Sequence, residues 1–266
     1  MAETLTFPPE EASKLSPYLP PQHNTSVSSS TAPTKPWVTL TYAVSLDSSL
    51  SLAPGVQTVL SGPQSKAMTH YLRSKHDAIL VGVGTAVADD PGLNCRIAGA
   101  EDSQPRPTVL DPKARWEVRE ESKVIRLARE GKGKGPWVLV RKGAEVDEGR
   151  RRVLESVGGG YLVCGNGAEK GFGWEAVLEV LGTRGMRSVM VEGGGKVINS
   201  LLGRDKIGLV NSVIVTIAPT WLGKGGVVVS PDREEGKEQS AVGRLRDVKW
   251  CPLGDDVVLC GFPKTS

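Results

Sequence analysis

Short apolar runs alternate with segments of helical periodicity from Trp37 onward. The short runs are dense in Val, Ile and Leu, as in strands buried on both faces of a sheet, whereas the longer segments are typical of amphipathic helices. The predicted strands are 37–46, 78–83, 107–111, 138–140, 160–165, 189–191, 210–218 and 256–262, and the predicted helices are 63–75, 147–157, 174–181 and 196–202. Strands and helices alternate until the last two strands follow one another. This pattern predicts an α/β domain with a mostly parallel central sheet, an antiparallel C-terminal edge and helices on both faces.

The beginning of the chain lacks this periodicity. Residues 1–35 are rich in Pro, Ser and Thr and are predicted to be mostly a flexible N-terminal tail, although local docking of residues 17–20 is left open. Residues 36–263 are predicted to form one folded domain, because no linker or internal repeat interrupts them. Within this domain, the charged stretch 115–135 is rich in Gly and Lys and is expected to be solvated.

The stretch 188–202, SVMVEGGGKVINSLL, predicts a strand, a glycine turn and a helix in succession. Three glycines allow positive φ and a close approach of the backbone to a ligand. The first amides of a helix lack intrahelical acceptors, so they can bind a pyrophosphate there, and Lys196 adds a positive charge. Glu192 lies at the end of the strand, where open α/β sheets bind ligands. The alternative is that the glycines serve tight packing only.

A second stretch, 78–96, also places polar residues directly after a buried strand. Thr85, Asp89, Asp90 and Arg96 follow the apolar run there. Two strand ends of this kind predict one cleft lined from several strands. The alternative is that Asp89 and Asp90 only cap the turn before Pro91, as Asp-Asp-Pro-Gly readily does.

Composition narrows the classes of function. The net charge is +3, with acidic and basic residues interspersed, so no surface is predicted to bind nucleic acid or an anionic membrane, whereas small anionic ligands remain possible. Four scattered cysteines and three histidines show no metal-ligand spacing, so no metal site is expected. No apolar run is long enough to cross a bilayer, and the N-terminus resembles neither a signal nor a transit peptide. We therefore expect a cytoplasmic protein.

Five long stretches carry a resemblance to a known family. They are VTLTYAVSLDSSLS, MTHYLRSKHDAILVGVGTAVADDPGLNCR, RPTVLDP, SVMVEGGGKVIN and VNSVIVTIAPTWLG. In this order and spacing they closely resemble the fungal 2,5-diamino-6-ribosylamino-4(3H)-pyrimidinone 5′-phosphate reductases of riboflavin biosynthesis. The resemblance covers nearly all of residues 37–262. The family is also similar to the reductase domain of the bacterial riboflavin deaminase-reductase, and both have a dihydrofolate-reductase-like fold.

The resemblance implies an NADPH-dependent reduction of a phosphorylated pyrimidine, in which hydride reaches C1′ of a ring-opened imine and the ribosylamino chain becomes ribitylamino. It also implies a homodimer, for which the apolar strand 210–218 would suit a subunit contact, although burial inside the sheet explains that strand equally well. The implied cofactor-binding residues are Thr85, Asp89, Val163, Gly193, Gly194, Gly195, Lys196, Val197 and Ser200. The implied substrate-binding residues are Arg73, Leu93, Arg96 and Glu192.

The chain departs from many bacterial relatives at two places. Thr41 stands where they have a lysine, and Ser48-Ser49 stands where they have Gly-Lys, so no catalytic lysine is carried over. Asp47 is the nearest candidate proton donor, although a carboxylate after a strand also serves as a turn cap. Two other functions stay open: a pterin or folate reductase of the dihydrofolate-reductase type, and an NADPH-binding protein without turnover.

Overall fold

The computed structural model describes residues 3–21, 35–165, 172–233 and 240–264. The strands are β1 (Trp37–Val44), β2 (Ser49–Ser51), β3 (Ala78–Gly82), β4 (Arg106–Leu110), β5 (Trp137–Arg141), β6 (Gly160–Cys164), β7 (Ser188–Glu192), β8 (Ser212–Ile217), β9 (Val227–Val228), β10 (Leu245–Leu253) and β11 (Asp256–Pro263). The α-helices are α1 (Pro9–Leu15), α2 (Pro63–Ser74), α3 (Val83–Asp89), α4 (Lys123–Arg129), α5 (Glu148–Glu155), α6 (Trp174–Thr183) and α7 (Gly195–Leu202).

Nine strands form one sheet in the order β10-β11-β8-β1-β7-β3-β4-β5-β6. The seven strands from β8 to β6 in this order run parallel, and β11 and β10 add an antiparallel edge. The predicted sheet is therefore confirmed. Strand β8 lies between β1 and β11 with Ser212–Thr216 buried, so burial inside the sheet accounts for its apolar run.

Helices cover both faces of the sheet, as predicted. Helices α6 and α7 pack on one face through Trp174, Leu178, Ile198 and other apolar side chains. On the opposite face, one apolar cluster lies under α3, α4 and α5, and a second cluster joins α1 and α2 to the strands near the antiparallel edge. The amphipathic periodicity of the helices therefore corresponds to two buried layers of side chains.

Residues 3–21 pack against the domain, whereas the sequence predicts that most of this segment is flexible and leaves open only the local docking of residues 17–20. Leu15, Tyr18 and Leu19 are buried in the cluster that contains α2, and the Tyr18 hydroxyl donates to the Asp247 carbonyl at 2.6 Å. Leu5 forms an isolated parallel bridge with Ile97. A few apolar residues separated by Pro and Glu are enough to anchor the segment, because the domain presents a complementary apolar surface. Residues 22–34 of the predicted tail lie outside the described residues.

Three further features differ from the sequence prediction. The stretch 115–135 is only partly solvated, since Trp116, Val118 and Ile125 are buried and α4 lies within it. Strands β2, β9 and β10 were not expected, because β2 and β9 are two or three residues long and most of β10 is exposed. Helix α3 was not predicted, because its short length and the glycines at positions 82 and 84 hide the helical periodicity.

We expect Leu15→Ala to lower the free energy of unfolding by about 2–5 kcal/mol, because it removes a fully buried side chain and leaves a cavity. Urea denaturation measures the change. Ser13→Ala on the same helix is the matched control, since that side chain is exposed and should have little effect. Equal stability of Leu15→Ala and the unaltered protein would mean that α1 does not contribute to the fold.

Candidate active site

The carboxyl ends of β1, β7 and β3 meet at one edge of the sheet. These strands are adjacent and parallel, with Thr41 opposite Glu192 and Leu80 opposite Val191. After β1, the chain forms β3, β4, β5 and β6 on one side of β1. It then passes through β7, which lies next to β1, to β8 on the opposite side of β1. Ligands bind at such a reversal of strand order, because the connections leave a crevice there.

Arg73 and Glu192 form an ion pair in this crevice. Arg73 Nη2 donates to Glu192 Oε2 at 2.8 Å and Arg73 Nε to Oε1 at 3.4 Å. The two side chains are only 14% and 19% exposed. Arg73 Nη1 also donates to the Asn94 carbonyl at 3.2 Å, so one guanidinium joins α2, β7 and the loop after α3. Two of the substrate residues implied by the resemblance are therefore in direct contact.

Arg96 reaches the same region from the loop after α3. Its Nε and Nη2 lie 3.2 and 2.9 Å from Nε2 of His70, which is one turn before Arg73 on α2. Burial is the largest cause that lowers the pKa of His70 to about 3, and the positive charges of Arg73 and Arg96 act in the same direction. The imidazole is therefore neutral, and the pair of Arg96 and His70 carries one net positive charge.

The loop that carries Arg96 contains two non-glycine residues in the left-handed region. Asp90 has φ 38° and Leu93 has φ 52°. Asp90 also accepts from the Lys123 amide at 3.0 Å, so its carboxylate caps the start of α4 and not the turn before Pro91. The Leu93 side chain is buried in the apolar cluster under α3, so only its backbone can face a ligand. Strained backbone of this kind is often found at binding sites, and here it turns the chain from α3 toward Arg96.

The three glycines of the turn have different roles, and none of them has positive φ, in contrast to the sequence prediction. A Cβ on Gly195 would lie 2.5 Å from Val227 Cγ1, so this glycine allows β9 to pack on α7. A Cβ on Gly193 would lie 3.1 Å from Val197. A Cβ on Gly194 would lie 3.3 Å from Thr85 Oγ1. Only Gly194 therefore adjoins a polar residue assigned to the cofactor. Gly193 and Gly195 instead allow tight packing, as the alternative interpretation of the glycine turn stated.

Thr85, Asp89 and Lys196 lie around this turn. Thr85 and Asp89 are four residues apart on α3 and therefore share one side of that helix. Burial raises the pKa of Asp89, which is half-buried. Lys196 is exposed in the first turn of α7, next to the free amides of the helix start. The arrangement combines a hydroxyl, backbone N–H donors and a cation, which together suit a phosphate group.

Three other residues implied as cofactor-binding are placed differently. Val197 is buried against Gly82, and its amide donates to the Gly194 carbonyl at 3.0 Å. Ser200 accepts from Trp174 Nε1 at 2.9 Å and donates to the Val197 carbonyl, so its hydroxyl links α7 to α6. Val163 lies on the edge strand β6, four strands from β7, or roughly 19 Å at the usual strand spacing. These side chains do not join the group around Gly194.

Asp47 links the turn after β1 to the loop that contains Leu222 and Gly223. Its carboxylate accepts from the Ser45 hydroxyl, from the Leu222 amide at 3.2 Å and from the Gly223 amide at 2.8 Å. The hydrogen bond from Ser45 is the largest cause that lowers the pKa of Asp47, and the two amides add to it. A carboxyl group that is held ionised cannot readily give up a proton. The geometry therefore favours the turn-cap interpretation over the predicted role as proton donor.

Sequence reasoning missed His70 and Asn94 as parts of this site. The sequence-based prediction gives His70 no role, yet its side chain is only 5% exposed. The available signal was its spacing, since His70 and Arg73 are one helical turn apart. Asn94 contributes through its carbonyl, which no side-chain motif can reveal.

Membrane-spanning helices and metal-binding clusters are both absent from the described parts of the chain. No helix there is long and apolar enough to cross a membrane. Nor do three or more His, Cys, Asp or Glu side chains of those residues converge in a way that could hold a metal ion.

Comparison with known proteins agrees with the fold. The model of the RibD C-terminal domain family matches residues 36–259. A Debaryomyces hansenii protein named 2,5-diamino-6-ribosylamino-4(3H)-pyrimidinone 5′-phosphate reductase is 43% identical over 231 residues, covering 85% of this chain and 89% of the relative. A Saccharomyces cerevisiae protein of the same name is 42% identical over 228 residues, covering 85% and 86%.

Solved structures give the same fold. The Saccharomyces riboflavin biosynthesis reductase Rib7 superposes with a TM-score of 0.74 at 36% identity, covering 96% of this chain and all of that one. Acinetobacter baumannii RibD superposes with a TM-score of 0.67 at 23% identity, covering 87% of this chain and 59% of that one. The dihydrofolate-reductase-like fold is therefore confirmed. Together with the match over residues 36–259, these relatives show that the chain belongs to the RibD C-terminal domain family.

Proposed function

We propose that the protein is an NADPH-dependent reductase that converts the ribosylamino chain of 2,5-diamino-6-ribosylamino-4(3H)-pyrimidinone 5′-phosphate into the ribitylamino chain. The observation that carries this proposal is the convergence of two sets of residues at one edge of the sheet. The ion pair of Arg73 and Glu192 with Arg96 forms one set, and Gly194 with Thr85 and Lys196 forms the other. One set suits a phosphorylated polar substrate, and the other suits a nucleotide cofactor.

The residues around Gly194 fit a dinucleotide. Gly194 has no side chain, which leaves a space beside Thr85 Oγ1. A Cβ at this position would lie 3.3 Å from that oxygen. The amides at the start of α7 would hold a pyrophosphate there, with Lys196 adding charge. For the 2′-phosphate of NADPH, the exposed cations Arg141, Lys142 and Lys196 are the candidates. When bound, this cofactor supplies the hydride that the imine carbon C1′ accepts.

The protein's own contribution is binding and orientation. Arg96 forms no ion pair with the described residues, so its charge is uncompensated there. It is proposed to bind the substrate phosphate, because a guanidinium donates two N–H groups to a phosphate in one plane. The pair of Arg73 and Glu192 offers a donor and an acceptor to the neutral polar groups of the pyrimidine or sugar. Fixed placement of C1′ next to the hydride donor supplies a large part of the rate acceleration. A protonated imine, once it is oriented in this way, accepts hydride without a further catalytic acid. This mechanism does not require Asp47 as a donor.

The direct test is turnover with purified protein. We expect the pyrimidine phosphate to be reduced with NADPH and much more slowly with NADH, as followed by cofactor absorbance, and dihydrofolate to be inert. Turnover of dihydrofolate but not of the pyrimidine phosphate would support the pterin or folate reductase instead. Binding of NADPH with no turnover of either compound would indicate a protein that only binds the cofactor.

Gly194→Val should weaken NADPH binding by at least about tenfold, or about 1.4 kcal/mol, because the side chain would fill the space beside Thr85. The fold should persist, since Gly194 has the extended φ of −69° and ψ of 165° that valine readily adopts. Fluorescence titration with NADPH measures the affinity. Gly133→Ala is the matched control, because its Cβ would make only ordinary contacts. Unchanged affinity in Gly194→Val would place the cofactor elsewhere.

Arg96→Ala and Asp89→Ala should separate the two halves of the cleft. A charge-assisted contact to phosphate contributes about 1.5–3 kcal/mol, so Arg96→Ala should raise the substrate KM by about ten- to a hundredfold. Its NADPH affinity should stay near the original value, whereas Asp89→Ala should show the reverse. Steady-state kinetics and NADPH titration of both variants provide the comparison. Weaker NADPH binding in Arg96→Ala with an unchanged substrate KM would invert this assignment.

A further inference from the structure

The Arg96 guanidinium is held by a histidine where a carboxylate would be the commoner partner. Two of its nitrogens, Nε and Nη2, lie 3.2 and 2.9 Å from the same atom, His70 Nε2. An N–H group can donate only to a ring nitrogen that has a free lone pair. The hydrogen-bond pattern therefore assigns the His70 proton to Nδ1 and makes the ring a neutral acceptor.

The surroundings of His70 keep the ring in this state. Its side chain is almost completely buried, and Arg73, Arg96 and Lys66 all disfavour a second positive charge, so that the pKa is lowered to about 3. The imidazole is thus neutral at neutral pH. Arg96 keeps its full charge, whereas the charge of Arg73 is balanced by Glu192 at 2.8 Å.

The backbones of both residues are also held in place. The Leu5 amide donates to the Arg96 carbonyl at 2.8 Å, so the N-terminal segment fixes the loop. Cys95 Sγ donates to the His70 carbonyl at 3.3 Å and joins that loop to α2. Arg96 is therefore restrained at its backbone by the N-terminal segment and at its guanidinium by α2.

His70 makes this contact at a cost. Its Nδ1 is buried and makes no hydrogen bond of good geometry with the described residues, although the Asn94 backbone acts on the ring as a hydrogen-bond partner that raises its pKa. A buried donor without a well-placed acceptor is unfavourable and uncommon in folded proteins, so it needs an explanation. The packing of α2 does not provide one, because an apolar side chain at this position would avoid the unpaired donor. The contact with Arg96 explains why a histidine is present at this position.

We propose that His70 is a positioning residue that orients Arg96 toward the substrate phosphate and leaves the positive charge of Arg96 uncompensated. The proposal rests on the function proposed above, in which Arg96 binds that phosphate. A carboxylate in place of His70 would orient the guanidinium and also cancel its charge. An apolar side chain would leave the charge but let the guanidinium rotate. A buried neutral imidazole satisfies both requirements.

The test compares His70→Leu, which removes the acceptor, with His70→Gln, which keeps a neutral acceptor. We expect His70→Leu to raise the KM for the phosphorylated substrate about tenfold, at the lower end of what a charge-assisted hydrogen bond contributes, with kcat and NADPH affinity little changed. His70→Gln should recover most of the loss. The KM for the substrate without its phosphate should be the same in all three proteins.

His76→Gln is the matched control. His76 is also buried near the end of α2, but its ring contacts the Leu72 carbonyl at 2.7 Å and Thr39 Oγ1 at 2.8 Å and no arginine. We expect this variant to lower the thermal midpoint and to leave the KM for the phosphorylated substrate unchanged. A purely structural role of His70 would give the same result in His70→Leu and would overturn the proposal.

Calorimetric titration of the full chain with ribose 5-phosphate separates this proposal from the proposed function. We expect weaker binding in His70→Leu and near-original binding in His70→Gln. The titration needs no turnover, so it still decides the role of His70 if the unaltered protein fails to reduce the pyrimidine phosphate. No binding of ribose 5-phosphate to the unaltered protein, or equal binding in all variants, would show that His70 does not position a phosphate-binding group.

Discussion

The pairing of β1 with β7 on one side and β8 on the other is the constraint on which the site depends. Because Thr41 lies opposite Glu192 and Leu80 lies opposite Val191, the ends of β7 and β3 lie at about the same level of the sheet, and β1 and β8 continue past them to Val44 and Ile217. Residues far apart in the chain therefore meet there. A slip of one residue in this register would exchange the two faces of β1 and remove Glu192 from the crevice. Such a slip is unfavourable because the two buried faces of β1 differ: Val38 and Leu40 pack in an apolar cluster, whereas Thr39 on the other face makes hydrogen bonds to His76 and Ser212.

Electrostatics distinguishes the two arginines that reach this crevice. Arg73 is balanced by a carboxylate in a largely buried pair, and loss of either partner would leave an uncompensated charge in a poorly solvated place. Arg96 is held by a neutral ring, so its charge is available to an anionic ligand. One loop and one helix thus supply two guanidinium groups of different character. This difference suits a ligand that has a charged end and a neutral polar end.

Segments outside the central sheet complete the crevice. The N-terminal segment contacts the Arg96 backbone and packs beside α2, so part of the presumed tail supports the site. Strand β9 packs on the start of α7 because Gly195 has no side chain. Asp47 ties the turn after β1 to the loop at Leu222 and Gly223. The first two contacts each join a peripheral segment to an element that carries a proposed binding residue, which restricts the shape of the cleft.

The sequence by itself determined the fold class, the core strands and most helices, because burial on one or two faces imposes a periodicity that is visible along the chain. It also singled out Arg96, Glu192 and Gly194, which follow buried strands, whereas Arg73 was implied only by the resemblance to the family. The packing of residues 3–21, the position of the short β2 and β9 and the burial of His70 had no such local pattern.

Only the tertiary structure decided which partner each polar group meets. The sequence could not show that Gly193 and Gly195 serve packing, that Ser200 bonds to Trp174, or that Asp47 accepts two amides from a distant loop. Nor could it show that Arg96 meets a neutral imidazole and Arg73 a carboxylate. The physical reason is that hydrogen bonds and steric contacts depend on distances of a few tenths of an ångström between residues remote in the chain, whereas periodicity records only which side of an element is buried.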